Sequence, residues 1–373
     1  MSPPLAPADL RVQVVDSLAA FEDLEDTWTT TLSMAPRHEL HMSFPWLRAW
    51  WQTFGSDHRM CVMVVRAGDR VLGLAPLMVE TRRFSGVTIP VLRLIGNDAS
   101  PRSDIILIDR KVEAIDALVR ATLSLPWVWF RVGEIPEQSE ALALLKTHVG
   151  RSFASVELQH ALVTALISVE GPWSEYLAEK SRNFRRSLRR TGANAGKHVL
   201  REFPDDLPDW DRMVRDVERV SADTWKHRAG TSLVARARDW DFYRRIMRVT
   251  RGEDRMRVAF LYEADEPIAF VISVGHGDTL YALKTGYREA SAASAPGVGV
   301  LAEWLEREFQ RRRWRRVDLD RVTTHGDWKH RWATRTEAVV SYYLFRRTMV
   351  STVVAAVYRG KKWAERRRRS RSA

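Results

Sequence analysis

Two kinds of spacing take turns along this chain. Short runs in which apolar and polar residues alternate, or apolar residues follow one another between turn residues, mark strands; stretches whose apolar residues recur three and four apart mark helices. In the first part, 11–15 reads as a strand and 17–26 as a helix. The stretch 43–54 is a helix with Leu47, Trp50, Trp51 and Phe54 on one face, an aromatic stripe of the kind that packs a core. Strands are predicted at 59–65 and 71–79, joined by the hairpin signal Ala67-Gly-Asp-Arg70, and at 87–95 and 104–108 around a loop at 97–103. Helices at 112–125 and 137–150 frame a strand at 127–132, and 153–158 is a further strand.

A linking strand, 161–169, ends at the boundary signal Gly171-Pro172. Next comes a helix at 181–190. At about 100° per residue its Arg182, Arg185, Arg186, Arg189 and Arg190 fall within roughly 140° of arc, with Phe184 and Leu188 opposite. The pattern then gives a strand at 197–203, helices at 205–221 and 239–250, and a hairpin of 257–262 and 267–274 around Glu263-Ala-Asp-Glu266. The stretch 278–287 is a strand. After a run of small polar residues, Ser294-Ala-Pro-Gly-Val-Gly-Val300 opens a helix carrying Leu301, Trp304, Leu305, Glu308 and Phe309. Strands at 315–320 and 336–346 close the series, and 349–358 is apolar but only ten residues long.

Mixed strands and helices in both parts predict an α/β (α+β) protein. The expected division is a lobe over 1–168, a second over 169–348, and an apolar segment with a basic tail over 349–373. The parts share an order of elements but no internal sequence repeat.

Composition narrows the class. A chain of 373 residues suits two domains, and 45% hydrophobic with 28% charged residues supplies an ordinary globular core. No apolar run approaches the length that spans a bilayer, and the N-terminus lacks the basic-then-apolar pattern of a secretory signal, so a cytoplasmic location is expected. The single Cys61 excludes an internal disulfide and reads as a buried thiol in Met60-Cys-Val-Met-Val-Val65. Net charge is +12, of which the residues from Arg359 onward hold +7: Lys361, Lys362, Arg366, Arg367, Arg368, Arg369 and Arg371 accompany Arg359, against Glu365 alone. The remaining +5 suits anionic small ligands; nucleic acid is not an expected partner. The tail reads as solvated and unstructured, with contact to the inner face of a membrane as its functional alternative.

Three stretches carry candidate chemistry. The glycines after Ser294 let a ligand approach the backbone, and Pro296 suits a first helical turn, so the unpaired amides there form a seat for phosphate beginning at Gly297. Alternation places Asp318 and Asp320 on one side of their strand, where mutual proximity would raise a pKa toward that of a base; His325 is a second candidate. The arginine face around Arg185 and Arg186 can serve as a groove wall for an acidic acceptor. His38 and His41 find no completing ligands, so no metal site is expected, and no Gly-x-Ser-x-Gly elbow is present.

Ser294-Ala-Pro-Gly-Val-Gly299 resembles the coenzyme A pyrophosphate loop of the GNAT acetyltransferases, Gln/Arg-x-x-Gly-x-Gly/Ala, with Ser294 in place of Gln/Arg. Ser221-Ala-Asp-Thr-Trp-Lys-His-Arg-Ala-Gly-Thr231 and Gly326-Asp-Trp-Lys-His-Arg-Trp332 are similar, in order and spacing, to segments of the CelD-like branch named for cellulose biosynthesis. Trp328 stands where that branch has Tyr. The resemblance covers about 172–346, with fainter echoes in 43–51 and 94–104. It implies two tandem GNAT-like lobes, each a mixed, mostly antiparallel sheet flanked by helices, and direct attack of an acceptor amine on an acyl-CoA thioester. Acetyl-CoA is the implied donor, held by Tyr287, Gly297, Val298, Gly299 and Val300. Asp318, Asp320 and His325 are then the catalytic candidates, and Arg185, Arg186, Trp225, Lys226 and Lys329 the contacts to a small-molecule or glycan acceptor, such as an amino sugar, amino-acid derivative or envelope polysaccharide precursor. Two alternatives stand beside this. One is a FemAB-like transferase, which shares the doubled fold and takes its acyl group from charged tRNA; the other is a non-catalytic interaction module.

Overall fold

The computed structural model describes residues 10–192, 197–252, 255–322 and 328–372. Its strands are β1 (Leu10–Val15), β2 (Arg59–Met60), β3 (Val62–Ala67), β4 (Arg70–Ala75), β5 (Leu77–Phe84), β6 (Val87–Leu94), β7 (Ile106–Leu107), β8 (Trp129–Pro136), β9 (Phe153–Ser168), β10 (His198–Phe203), β11 (Met256–Glu263), β12 (Glu266–His276), β13 (Thr279–Tyr287), β14 (Arg316–Val322) and β15 (Arg335–Arg346). The chain forms two compact units, Met1–Leu162 with Ala338–Ala373, and Val163–Glu337. The expected limits at 168 and 348 are thereby displaced. The last strand and the C-terminal segment return to the first unit, because β15 pairs antiparallel with β8 from Val339 to Phe345.

In the first unit β1, β3, β4 and β7 form one antiparallel sheet. A second sheet runs β2-β5-β6-β8-β15, with β6 and β8 parallel and the β2-β5, β5-β6 and β8-β15 pairs antiparallel. The single strand expected over 71–79 is two strands in different sheets. Pro76 lies between them, and a proline cannot donate to a ladder. Helices Lys111–Leu123 and Glu140–Lys146 bury Ile115, Leu118, Leu142 and Leu145 in the same core as Val65, Leu92, Phe130 and Leu344. In the aromatic helix Phe44–Phe54, Leu47 and Trp50 are buried, and Trp51 and Phe54 half-buried. Cys61 is buried, and desolvation holds its thiol above the usual value.

The second unit is ordered β10-β11-β12-β13-β14, followed by the end of β9. Only β13 and β14 are parallel; the other neighbours are antiparallel. The strands expected at 153–158 and 161–169 are one strand, β9, because no glycine or proline separates them. Helices lie against the sheet from both sides, as the alternation of β12 requires. Ala269 and Val271 pack with Val300, Leu301 and Trp304 of helix Pro296–Arg311 and with Phe184 of helix Arg182–Gly192. Helix Trp210–Ala222 also packs on β12 and β13, burying Met213, Val217 and Val220. It begins later than the expected 205. Asp209 caps it, accepting from the amides of Asp211 (2.9 Å) and Arg212 (3.2 Å), and Pro208 precedes the cap.

Glu202 of β10 is fully buried and fixes the end of helix Pro296–Arg311. It accepts from Arg311 at 2.5 Å and from Arg307 at 3.2 Å, and Arg311 also holds Glu308 at 2.6 Å. Glu202→Gln keeps an acceptor but removes the charge, so a loss of about 1–2 kcal/mol is expected in urea denaturation.

The C-terminal stretch expected to lack structure is a helix, Met349–Ser372. Alanine, arginine, lysine and glutamate dominate its second half, and all favour helix. Among the described residues no helix is long and apolar enough to cross a membrane.

Candidate functional site

Strands β13 and β14 run side by side only from Thr279–Tyr281 to Arg316–Asp318. Beyond that, both bend. In β13 the register against β12 shifts between Ile272 and Ser273, leaving Leu283 as the extra residue of a bulge. In β14 the register against β9 shifts between Asp318 and Arg321, with Asp320 at φ +70°. Two bulges on facing strands splay them apart, so the edge of β13 past Tyr281 has no β14 residue paired to it.

A cavity of about 390 Å3 opens in the second unit beside this edge. Its walls are Thr285, Gly286 and Tyr287 of β13, Pro296, Gly297, Val298 and Leu301 of the following helix, Phe184 and Ser187 of the arginine helix, Thr224, Trp225 and Lys226, and Trp328, Arg331 and Trp332. The volume lies in the range of small-molecule sites, and the lining is mainly apolar with a few polar groups. Arg331 lies over the Phe184 ring at 5.2 Å, and the indole of Trp332 meets that ring edge-on at 4.9 Å.

Helix Pro296–Arg311 aims its first turn at this cavity. Pro296 has no N–H, while the amides of Val298 (3.0 Å) and Gly299 (3.2 Å) both donate to Ala295 O. That leaves Gly297 N–H as the first-turn amide without a backbone acceptor among the described residues, together with the positive end of the helix dipole. The expected cradle of several amides is therefore narrower than the glycine pattern suggested. The glycines serve packing as well: a Cβ on Gly297 would lie 2.9 Å from Tyr287 Cδ1, and one on Gly299 would lie 3.3 Å from both Leu261 and Thr191. Tyr287, Gly297 and Val298 line the cavity. Gly299 and Val300 do not; both are buried behind it.

The acidic pair departs from its expected geometry. Asp318 is 2% exposed, and its Oδ1 accepts the Asp320 amide at 2.7 Å. The bulge cancels the alternation that would have set both carboxylates on one side, and Asp320 Oδ1 accepts the Arg321 amide at 2.5 Å. Neither residue lines the cavity. His325 lies outside the described residues.

The acceptor candidates divide. Trp225 and Lys226 line the cavity. Lys329 instead donates to Arg321 O at 2.6 Å and ties its short helix, Lys329–Trp332, to β14. The arginine helix turns Phe184, Ser187 and Leu188 inward, so Arg182, Arg186, Arg189 and Arg190 are exposed on the opposite side, and Arg185 caps the preceding helix through Ala178 O at 2.7 Å. The groove wall expected from Arg185 and Arg186 is not formed, since the helix's apolar side faces the cavity.

A smaller cavity of about 100 Å3 shares Thr224, Lys226, Thr285 and Gly286 with the first. It is also lined by Ser221, Ser232, Asp239, Tyr243 and Lys284, none of them among the site residues expected from the sequence. Lys284 Nζ sits 4.9 Å from the Tyr243 ring centroid. The neighbouring Tyr243, against the cost of burial and with Asp320 and Asp239 behind it, holds the ammonium above its ordinary pKa, so it stays charged. Burial pushes the Tyr243 phenol up, so it stays neutral. The one sequence signal was Lys284 itself, a cation in a mostly apolar strand.

Residues 178–330 match the profile of the family described as "Acetyltransferase (GNAT) domain", and this stretch contains the splayed strands and every residue of the large cavity except Arg331 and Trp332. No curated protein matches the chain. Among solved structures, FemX is similar over 86% of this chain and 96% of its own, at 10% identity and a TM-score of 0.61. A conserved protein of unknown function from Bacteroides thetaiotaomicron is similar over 90% and 100%, at 13% identity and 0.58. L-PGS from Bacillus licheniformis is similar over 90% and 96%, at 9% identity and 0.50. At these identities the likeness is one of fold. The chain thus divides, as expected, into two units of mixed, mostly antiparallel sheet flanked by helices, and residues 178–330 of the second unit are similar in sequence to a GNAT acetyltransferase domain.

Proposed function

We propose that the second unit is an acyl-CoA-dependent N-acyltransferase of the CelD-like kind, with acetyl-CoA as donor and an amino sugar, amino-acid derivative or envelope polysaccharide precursor as acceptor. The observation that carries this is convergence. Three segments far apart in sequence, around Trp225-Lys226, Gly297-Val298 and Trp328 with Trp332, form the walls of one cavity where β13 and β14 part.

In this reading the donor's diphosphate sits at the first turn of helix Pro296–Arg311, taking Gly297 N–H, the helix dipole and the Arg331 guanidinium. The pantetheine arm, an amide chain, lies along the free edge of β13 as an added strand would. The acceptor occupies the smaller cavity, its polar groups on Lys284, Tyr243 and Ser232, its amine directed to the shared wall at Thr285 and Gly286. There the neutral amine forms the new C–N bond, the C–S bond breaks, and the amine's proton passes by way of Asp239 or water while thiolate leaves. Calorimetric titration of the purified protein with coenzyme A and acetyl-CoA tests the donor: micromolar binding is expected, and its absence defeats the proposal.

Lys284→Met is expected to leave coenzyme A affinity within about twofold and to raise the acceptor's KM at least ~10-fold, the worth of one hydrogen bond to a charged group. Thiol release from acetyl-CoA, with glucosamine and free amino acids as trial acceptors, measures it. A second reading is a FemAB-like transferase fed by charged tRNA, supported by the exposed arginine face and by the single free first-turn amide. Tight, salt-sensitive tRNA retention without coenzyme A binding would favour it.

A further inference from the structure

The C-terminal helix Met349–Ser372 turns an apolar side outward. Its inner side is fixed by several contacts. Ser351 Oγ donates to Val128 O at 2.5 Å, Ala355 is buried with Trp129 and Phe345, Arg359 pairs with Glu157 at 2.6 Å, and Lys362 Nζ donates to Gln159 O at 2.7 Å. At about 100° per residue, Met349, Val350, Val353, Ala356 and Val357 fall on the other side, with Trp363 at its border. Met349 is 87% exposed, Val353 61% and Trp363 58%.

An outward helical face is ordinarily charged or polar; here those positions are apolar over consecutive turns. The charges lie at its border and beyond its end. Lys361 is exposed, Arg367 stacks on the Trp363 ring at 4.0 Å, and Arg366 to Arg369 with Arg371 are opposed only by Glu365. An apolar strip, an aromatic ring at its edge and a cluster of cations match the layers of a bilayer surface: acyl boundary, headgroup level and anionic phosphate.

We propose that this helix lies in the plane of a bilayer that contains anionic lipid, with Met349, Val353 and Val357 in the acyl boundary and the cations among the headgroups. The inference is independent of the acyl-transfer reading, since vesicle binding requires neither donor nor acceptor.

Vesicle flotation of the full chain tests it, with phosphatidylcholine alone and phosphatidylcholine mixed with phosphatidylserine. The protein is expected to float with the mixed vesicles and to bind neutral ones at least ~10-fold more weakly. Val353→Ser with Val357→Ser, at exposed positions that leave the fold and the net charge intact, is expected to lower partitioning at least ~10-fold. The exposed Val112→Ser, on another helix, should leave it unchanged. Failure to float with anionic vesicles overturns the proposal. So does flotation that the double variant retains, which would assign binding to the arginines alone. A concentration-dependent dimer in light scattering that the double variant abolishes, without vesicle binding, would assign the face to a second copy of the chain and equally overturn it.

Discussion

Val298→Glu is expected to weaken coenzyme A binding by at least about 100-fold while leaving the melting temperature of the protein unchanged or slightly raised. Val298 is half-buried at the third position of helix Pro296–Arg311 and lines the large cavity. A glutamate at that position suits a helix, because a carboxylate near the N-terminus offsets the dipole and the side chain can reach back toward the cap. The same carboxylate would stand where the donor's diphosphate is placed. Like charges brought together cost several kcal/mol, and each 1.4 kcal/mol is tenfold in affinity. Folding and binding therefore move in opposite directions, which no general loss of structure can imitate. Titration calorimetry beside thermal denaturation reads both. Unchanged affinity in the variant would remove the diphosphate from this helix end.

Stability of the first unit should fall as pH rises from about 4 to about 7, and Asp104→Asn should abolish that fall. Asp104 is buried, and desolvation pushes its carboxyl up to about 7 even though Ser139 Oγ (2.7 Å) and the Ile105 amide (2.8 Å) donate to Oδ1. The sign follows from the proton count. Below the ordinary aspartate value of 3.8, folded and unfolded chains both hold the proton. Between 3.8 and about 7 only the folded chain holds it, so stability present at low pH is lost as pH rises and levels off above about 7. At 1.36 kcal/mol per pH unit, the interval amounts to roughly 4 kcal/mol as an upper figure. Asparagine keeps an Oδ1 to accept both hydrogen bonds and carries no charge at any pH. Urea denaturation of both proteins at pH 5 and pH 8 isolates the effect, because every other titrating group cancels in the difference. Equal pH dependence of the two would show Asp104 ionised in the fold.

Much of the fold was legible because alternation and helical spacing are local. Strands β11 to β14 and the helices between them fall close to the stretches where the pattern put them. The misreadings have local causes too. Pro76 split one strand, and the lack of any breaker after Leu158 fused two. The site was less legible, since its decisive geometry is made by register. Alternation assigned Asp318 and Asp320 to one side, yet a bulge that no residue type announces turns Asp320 to φ +70°. The arginine helix was read correctly as two-sided, but spacing alone does not say which side meets a cavity, and it is Phe184 and Ser187 that do. Tyr243 and Lys284 lie forty-one residues apart on a helix and a strand, and only tertiary packing brings them together. The Gly-x-Gly pattern picked out a helix end that meets the large cavity while overstating its free amides.

The return of residues from Ala338 onward to the first unit sets an order of events during synthesis. The second unit is one unbroken piece of chain and can collapse as soon as it leaves the ribosome. The first unit must wait, with β8 paired to β6 alone, until β15 emerges. For that interval a β-edge is open to other nascent chains, so slowed or interrupted synthesis of this segment should show itself as aggregation.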